Sequence, residues 1–239
     1  MAIESDGELQ RMYEENHLFN LKEDVTAWKV SHVTEVLEEA GITSCDSIVE
    51  LGFGSGEVLS LLSEWFDAEE TVGLDFSTRA VYVADEIADE KRCIVGDAQR
   101  TPIKDKKFDV CCLMDILEHV REPVTVLEEA IRIAETVIAK VPIEYNYCRR
   151  AQNKLGIFTW EDSKRDVGHV HWWTLADIQK IVERFDVRYS QLTPSRRHFD
   201  SHDNPVRTLA GNMDAATFRI SRSLYHRMWG GNIVYIINS

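Results

Sequence analysis

Two short stretches concentrate the side chains able to move protons. The run "DILEH" places Asp115, Glu118 and His119 within five residues, and "GHVHWWT" adds His169 and His171. Positioned carboxylates and imidazoles act as general bases worth roughly 10²–10⁴-fold in rate. A third stretch, "VELGFGSGEV", has three glycines at alternate positions, Gly52, Gly54 and Gly56. Losing side chains there lets a ligand reach the backbone, where the N–H groups opening the next helix can point at it.

These stretches need a frame that holds them together. Val25, Trp28, Val33, Val36, Leu37 and Ala40 recur at helical spacing, with Gly41 as a C-cap. "SIVEL" (47–51) predicts a buried strand, and Gly56–Phe66 a helix. "TVGLD" (71–75) predicts a second strand, with Ser77 capping a helix to about Asp89. "RCIVG" is a third strand ending at Asp97. "FDVCCLM" (108–114) is a continuous apolar strand of the kind buried on both faces of a parallel sheet. A helix from Pro123 to about Ala134 and a strand "TVIAKV", stopped by Pro142, complete the regular part. Beyond it come irregular chain from Ile143 to Trp173, a helix from Thr174 to Phe185, a strand "DVRYSQL", a second irregular segment from Pro194 to Gly231, and a closing strand "NIVYIIN".

The order predicts an α/β fold, a doubly wound, mostly parallel seven-stranded sheet with helices on both faces and two irregular insertions near the C-terminal half. The expected layout is a single domain over 1–239. It comprises an N-terminal helical cap (1–46), a ligand-binding core (47–141) and insertions at 142–173 and 194–231, where a substrate would be met. A chain of 239 residues suits one such domain.

The net charge of −14 argues against a general affinity for long nucleic acids or anionic membranes. The charge is uneven: residues 195–230 hold six arginines, three aspartates and no lysine, which suggests a local anion site. Five cysteines without CxxC spacing favour a reducing, cytoplasmic setting, and adjacent Cys111 and Cys112 read as core. No signal peptide is recognisable, and no apolar run suggests membrane insertion.

The glycine spacing narrows the ligand. A dinucleotide fingerprint would need glycine at 57, where Glu57 stands, and no P-loop lysine follows. The pattern instead resembles class I S-adenosylmethionine-dependent methyltransferases over roughly Ser47–Phe185, through four stretches in order. The first is Glu50, Gly52, Phe53, Gly54 and Gly56. The second is "VGLDFS", with Asp75 and Phe76; the third is "VGDAQ", with Asp97 and Ala98; the fourth runs from Met114 through Asp115 to Leu117. The resemblance implies S-adenosyl-L-methionine as donor and S-adenosyl-L-homocysteine as product. It places Asp75 on the ribose hydroxyls, Asp97 and Ala98 on the adenine, and Met114–Leu117 along the methionine part. His119, His169 and Asp115 are then the candidates for handling the acceptor's proton. The expected acceptor is a hydroxyl or amine of a small molecule or glycan intermediate.

A narrower resemblance is to E-x-x-E-H O-methyltransferases of the ubiquinone pathway and of small-RNA 3′ ends. It implies a divalent metal held by Asp115, Glu118, His119 and His169, with Asp115 standing where those enzymes carry glutamate. Trp160, Trp172, Trp173 and Trp229 could wall a pocket or anchor the insertions. Arg196, Arg197, Arg207, Arg219, Arg222 and Arg227 could grip an anion or form a solvated face, and Tyr13 and Trp28 could close over the donor. A non-catalytic partner protein on the same fold and a nicotinamide-dependent dehydrogenase are the competing readings. Neither the identity of the acceptor nor the oligomeric state is legible.

Overall fold

Strand β1 (Ser47–Leu51) is apolar toward both faces because parallel neighbours flank it on either side. The computed structural model describes residues 23–80, 92–156, 159–160, 168–194, 213 and 216–239. Its strands continue with β2 (Glu70–Asp75), β3 (Arg92–Val95), β4 (Phe108–Met114), β5 (Ala134–Ile143), β6 (Asp186–Thr193) and β7 (Gly231–Asn238). They form one seven-stranded sheet in the order β3-β2-β1-β4-β5-β7-β6. The first five are mutually parallel, and β7 runs antiparallel between β5 and β6.

Helices cover both faces. On one side α1 (Glu23–Glu39) and α2 (Glu57–Phe66) bury Val33, Leu37, Leu59 and Leu62 against Ile48, Val110 and Cys112. On the other, α3 (Pro123–Ile133) and α5 (Leu175–Val182) bury Val126, Leu127, Ile178 and Val182 with Val49, Cys111 and Leu113. Adjacent Cys111 and Cys112 thus face opposite layers, as the two-residue period of a strand requires. Thr174 and Asp177 cap α5 reciprocally. Among the described residues no helix is long and apolar enough to cross a membrane.

Four expectations need correction. Pro142 does not stop β5, which runs on to Ile143. Pairing with β4 ends at Lys140, so residues 141–143 bond only to β7, and one missing N–H is tolerated there. Helix α5 ends at Val182 rather than Phe185. The stretch 143–173 is not wholly irregular: it contains α4 (Tyr147–Lys154), capped by Asn146. Likewise α6 (Arg222–Trp229), capped by Ser221, lies within 194–231, and Gly231 already belongs to β7. Residues 78–80 begin the helix expected after Ser77. Its remainder, with Tyr13, Arg196, Arg197 and Arg207, lies outside the described residues.

The glycine turn joins β1 to α2. Gly52, Gly54 and Gly56 all have left-handed backbones, with φ of 76°, 56° and 80°. At Gly52 the crowding comes from the protein itself, since a Cβ there would lie 2.6 Å from Cδ1 of Ile116. Gly52→Ala should therefore destabilise the ligand-free chain by about 2–4 kcal/mol in urea unfolding, from left-handed strain plus overpacking. Adding Ile116→Val, which removes the offending methyl, should recover part of that loss.

Candidate functional site

Strand order reverses between β1 and β4, so the chain leaving each of them turns away from a shared crevice at the carboxyl edge. Such a switch point is where open parallel sheets receive ligands. Every residue singled out from the four motif stretches lies along this edge. Glu50 is the penultimate residue of β1, Gly52–Gly56 follow it, and Asp75 ends β2. Asp97 and Ala98 follow β3, and Met114 ends β4, with Asp115 and Leu117 just beyond.

Glu50 is 2% exposed, and its Oε2 is buried without a hydrogen-bond partner. Burial pushes its carboxyl up to about 8, against the pull of the Lys29 ammonium. Asp75 is also buried. Its Oδ2 accepts from the Gly54 N–H at 3.0 Å and its Oδ1 from the Ser77 N–H at 2.9 Å. Burial raises its pKa while these amides oppose the shift. Asp75 therefore ties the glycine turn to β2, with the Phe76 backbone amide as a third donor to its carboxylate. Phe53 packs where a Cβ on Gly73 would stand. Phe76 is half-buried and Ala98 buried, while Asp97 is exposed and accepts from the Gln99 N–H at 2.8 Å.

Asp115 has a left-handed backbone, φ 59°, and its carboxylate sits between two ammoniums. Lys29 of α1 reaches Oδ2 at 2.8 Å, and Lys140 of β5 bonds Oδ1. Burial alone would raise its carboxyl, but Lys140 and Lys29 hold it well below the usual range. Lys140 is 4% exposed and also donates to the Asn232 side chain of β7 at 3.1 Å. Asp115 is thus a fixed anion, spent on two cations.

Beside it, Glu118, His119 and His169 bring one ligand-type atom each to within 4.8 Å of one another. The Val170 and His171 N–H groups both donate to the Glu118 carbonyl, which fixes the later segment against "DILEH". The Glu118 side chain is buried with Oε2 unpartnered, and burial together with the Asp115 charge lifts its carboxyl to about 8. Burial and the neighbouring His169 lower His119 to about 3, so it is neutral. The two imidazoles meet edge to face, centroids 4.6 Å apart. His169 Nδ1 lies 2.6 Å from Glu144 Oε2, and despite the opposing effect of burial this partner raises the His169 pKa. His171 instead stacks on Trp173. Of the four ligands implied by the narrower resemblance, three converge and Asp115 points to its lysines.

Lys29, Lys140 and Glu144 escaped the sequence reading. Lys140 left a trace, being the one charge inside "TVIAKV"; Lys29 and Glu144 left none, because only the fold brings them here. Trp160 lies between Tyr145 and Trp172, with ring centroids 5.5 and 5.6 Å away, so these three aromatics pack on one another within the first insertion. Trp28 packs on His32.

Residues 49–136 match the family model described as "Methyltransferase domain". The demethylmenaquinone methyltransferase of Thermotoga maritima is 28% identical over 108 residues, 45% of this chain and 45% of that protein. The malonyl-[acyl-carrier protein] O-methyltransferase of a Marinomonas species is 25% identical over 177 residues, 70% of this chain and 63% of that protein. The chain thus spans about half to three-fifths of the length of these curated relatives. A solved SAM-dependent methyltransferase of Thermotoga maritima superposes with a TM-score of 0.58 at 15% identity, covering 96% of this chain and 99% of that one.

The raised Glu50 carboxyl carries a pH signature. The folded chain keeps this proton where the unfolded chain, with its carboxyl near the ordinary value of 4.5, has lost it. The associated stability is full below pH 4.5 and is lost as pH rises through about 8. Glu50→Gln cannot ionise, so between about pH 5 and about pH 9 its urea midpoint should fall less than that of wild type.

Proposed function

We propose, for a chain built on the class I methyltransferase fold, that it transfers a methyl group from S-adenosyl-L-methionine to a hydroxyl or amine of a small molecule or glycan intermediate. The observation that carries this reading is the orphaned, buried Oε2 of Glu50 beside the left-handed glycine turn. A buried carboxyl raised by desolvation gains most from a cation, and the donor's methionine part bears an ammonium. The Asp75 carboxylate at the end of β2 suits a ribose diol, with Asp97 and Ala98 at the adenine end and Met114–Leu117 along the methionine part. When bound, the donor supplies an activated methyl carbon on a sulfonium sulfur. The chain's task is chiefly to align the acceptor with it.

His169 receives the proton that the acceptor loses, at Nε2, because Nδ1 is committed to Glu144. Glu144 stabilises the imidazolium that forms and holds the ring in place. His119, kept neutral, lines the same pocket, and Asp115 acts as a fixed charge. All five cysteines are free, which suits a reducing, cytoplasmic setting. Thermal unfolding tests the donor assignment. S-adenosyl-L-homocysteine at about 100 times its Kd should add roughly 2.7 kcal/mol to wild type and nothing to Asp75→Ala. A folded wild type with no shift would remove the reading.

A second reading is favoured by the convergence of Glu118, His119 and His169. One carboxylate and two imidazoles form a plausible donor set for a divalent cation, which would polarise an acceptor hydroxyl. Ligands at about 2.0–2.2 Å from one ion stand at most about 4.4 Å apart, so a 4.8 Å span would have to contract slightly. Calorimetric titration of Mn²⁺ decides the matter. Binding that disappears in Glu118→Ala supports metal assistance, and no binding by wild type discards it.

A further inference from the structure

Among the described residues, two segments free of acidic side chains also carry most of the exposed large apolar ones. Residues 145–156 and 216–239 contain no aspartate or glutamate in a chain of net charge −14. They carry Arg149, Arg150 and Lys154 on α4, and Arg219, Arg222 and Arg227 on and before α6, all exposed. Among the described residues seven large apolar side chains are exposed. Six of these seven fall at 145–155 and 213–224, with Leu155 72% and Ile220 81% accessible.

The two segments abut. A Cβ on Gly230, which ends α6, would lie 2.6 Å from the side chain of Asn146, which caps α4. Helix α4 buries none of its residues, and α6 buries only Tyr225 and His226. The cations lie over the aromatics: Arg150 is 5.3 Å from the Tyr145 ring centroid and 6.0 Å from that of Tyr147, and Arg222 is 5.5 Å from that of Phe218.

We propose that α4 and the segment 216–229 form a docking surface for an anionic lipid bilayer. Basic residues interleaved with exposed aliphatic and tyrosine side chains suit the headgroup region, where the cations meet phosphate and the apolar tips enter the acyl boundary. A soluble acidic partner would match the charge but would leave Leu155 and Ile220 without a role. The strongly acidic remainder of the chain is repelled by the same surface, which fixes the orientation. Bulk charge, which argues against general membrane affinity, therefore does not govern this face. The surface is independent of the donor assignment. On the methyl-transfer reading, α4 starts just after Glu144, so an acceptor presented at the bilayer would arrive beside His169.

The test is co-sedimentation of the full chain with vesicles of phosphatidylcholine alone or mixed with phosphatidylglycerol. Wild type should bind the mixed vesicles and not the neutral ones. Arg149→Glu combined with Arg150→Glu, and separately Leu155→Ser combined with Ile220→Ser, should each weaken binding at least about tenfold. Because these positions are exposed, the thermal shift with S-adenosyl-L-homocysteine should be the same in all three proteins, which separates this test from that of the donor. Equal binding to both vesicle types, binding unchanged in the variants, or no binding by wild type overturns the proposal. Self-association lost in the variants, without vesicle binding, would assign the face to a second copy of the chain.

Discussion

The site depends on one half-buried anion held between two cations. Asp115 is locked in a left-handed turn at the end of β4, and its carboxylate is shared by Lys29 from α1 and Lys140 from β5. Burying any of these charges singly would be expensive, and only the set with its hydrogen bonds is tolerable. The bond from Lys140 to Asn232 extends the set to β7. One carboxylate thereby joins α1, the two central parallel strands and the antiparallel strand around the crevice.

That arrangement also decides which neighbouring acids stay neutral. With the ammoniums shared around Asp115, Glu50 and Glu118 are left desolvated, each with one unpartnered oxygen, and both are raised to about 8. Perturbed carboxyls in a crevice mark places suited to a ligand as much as places where chemistry occurs. Here one stands at the glycine turn and the other beside the histidines, as a donor on one side and an acceptor on the other would need. The two insertions complete the division of labour. The first supplies His169 and the aromatic wall, and α4 and α6 turn the outer face toward its surroundings.

Much of this frame is legible in the residues. The apolar runs of β1 and β4, the glycine turn and the alternation of strands with amphipathic helices specify the layers and the carboxyl edge. Helices α4 and α6 escaped because one buries nothing and the other almost nothing, so neither leaves a hydrophobic period to read. Pro142 misled because its cost depends on how far pairing with β4 extends, which is a tertiary fact. In the site, the "DILEH" and "GHVHWWT" histidines were visible as types, and His119 and His169 do meet. That His169 rather than His171 meets His119 and Glu144, and that Asp115 is spent on lysines, follows from side-chain packing over distances no local pattern encodes.

The most direct test of the account is a calorimetric titration of the ligand-free chain with S-adenosyl-L-homocysteine, run beside an identical titration with NAD. A methyl-donor crevice is expected to saturate one to one with the former and not to bind the latter. Saturation by NAD, or by neither, would contradict this expectation.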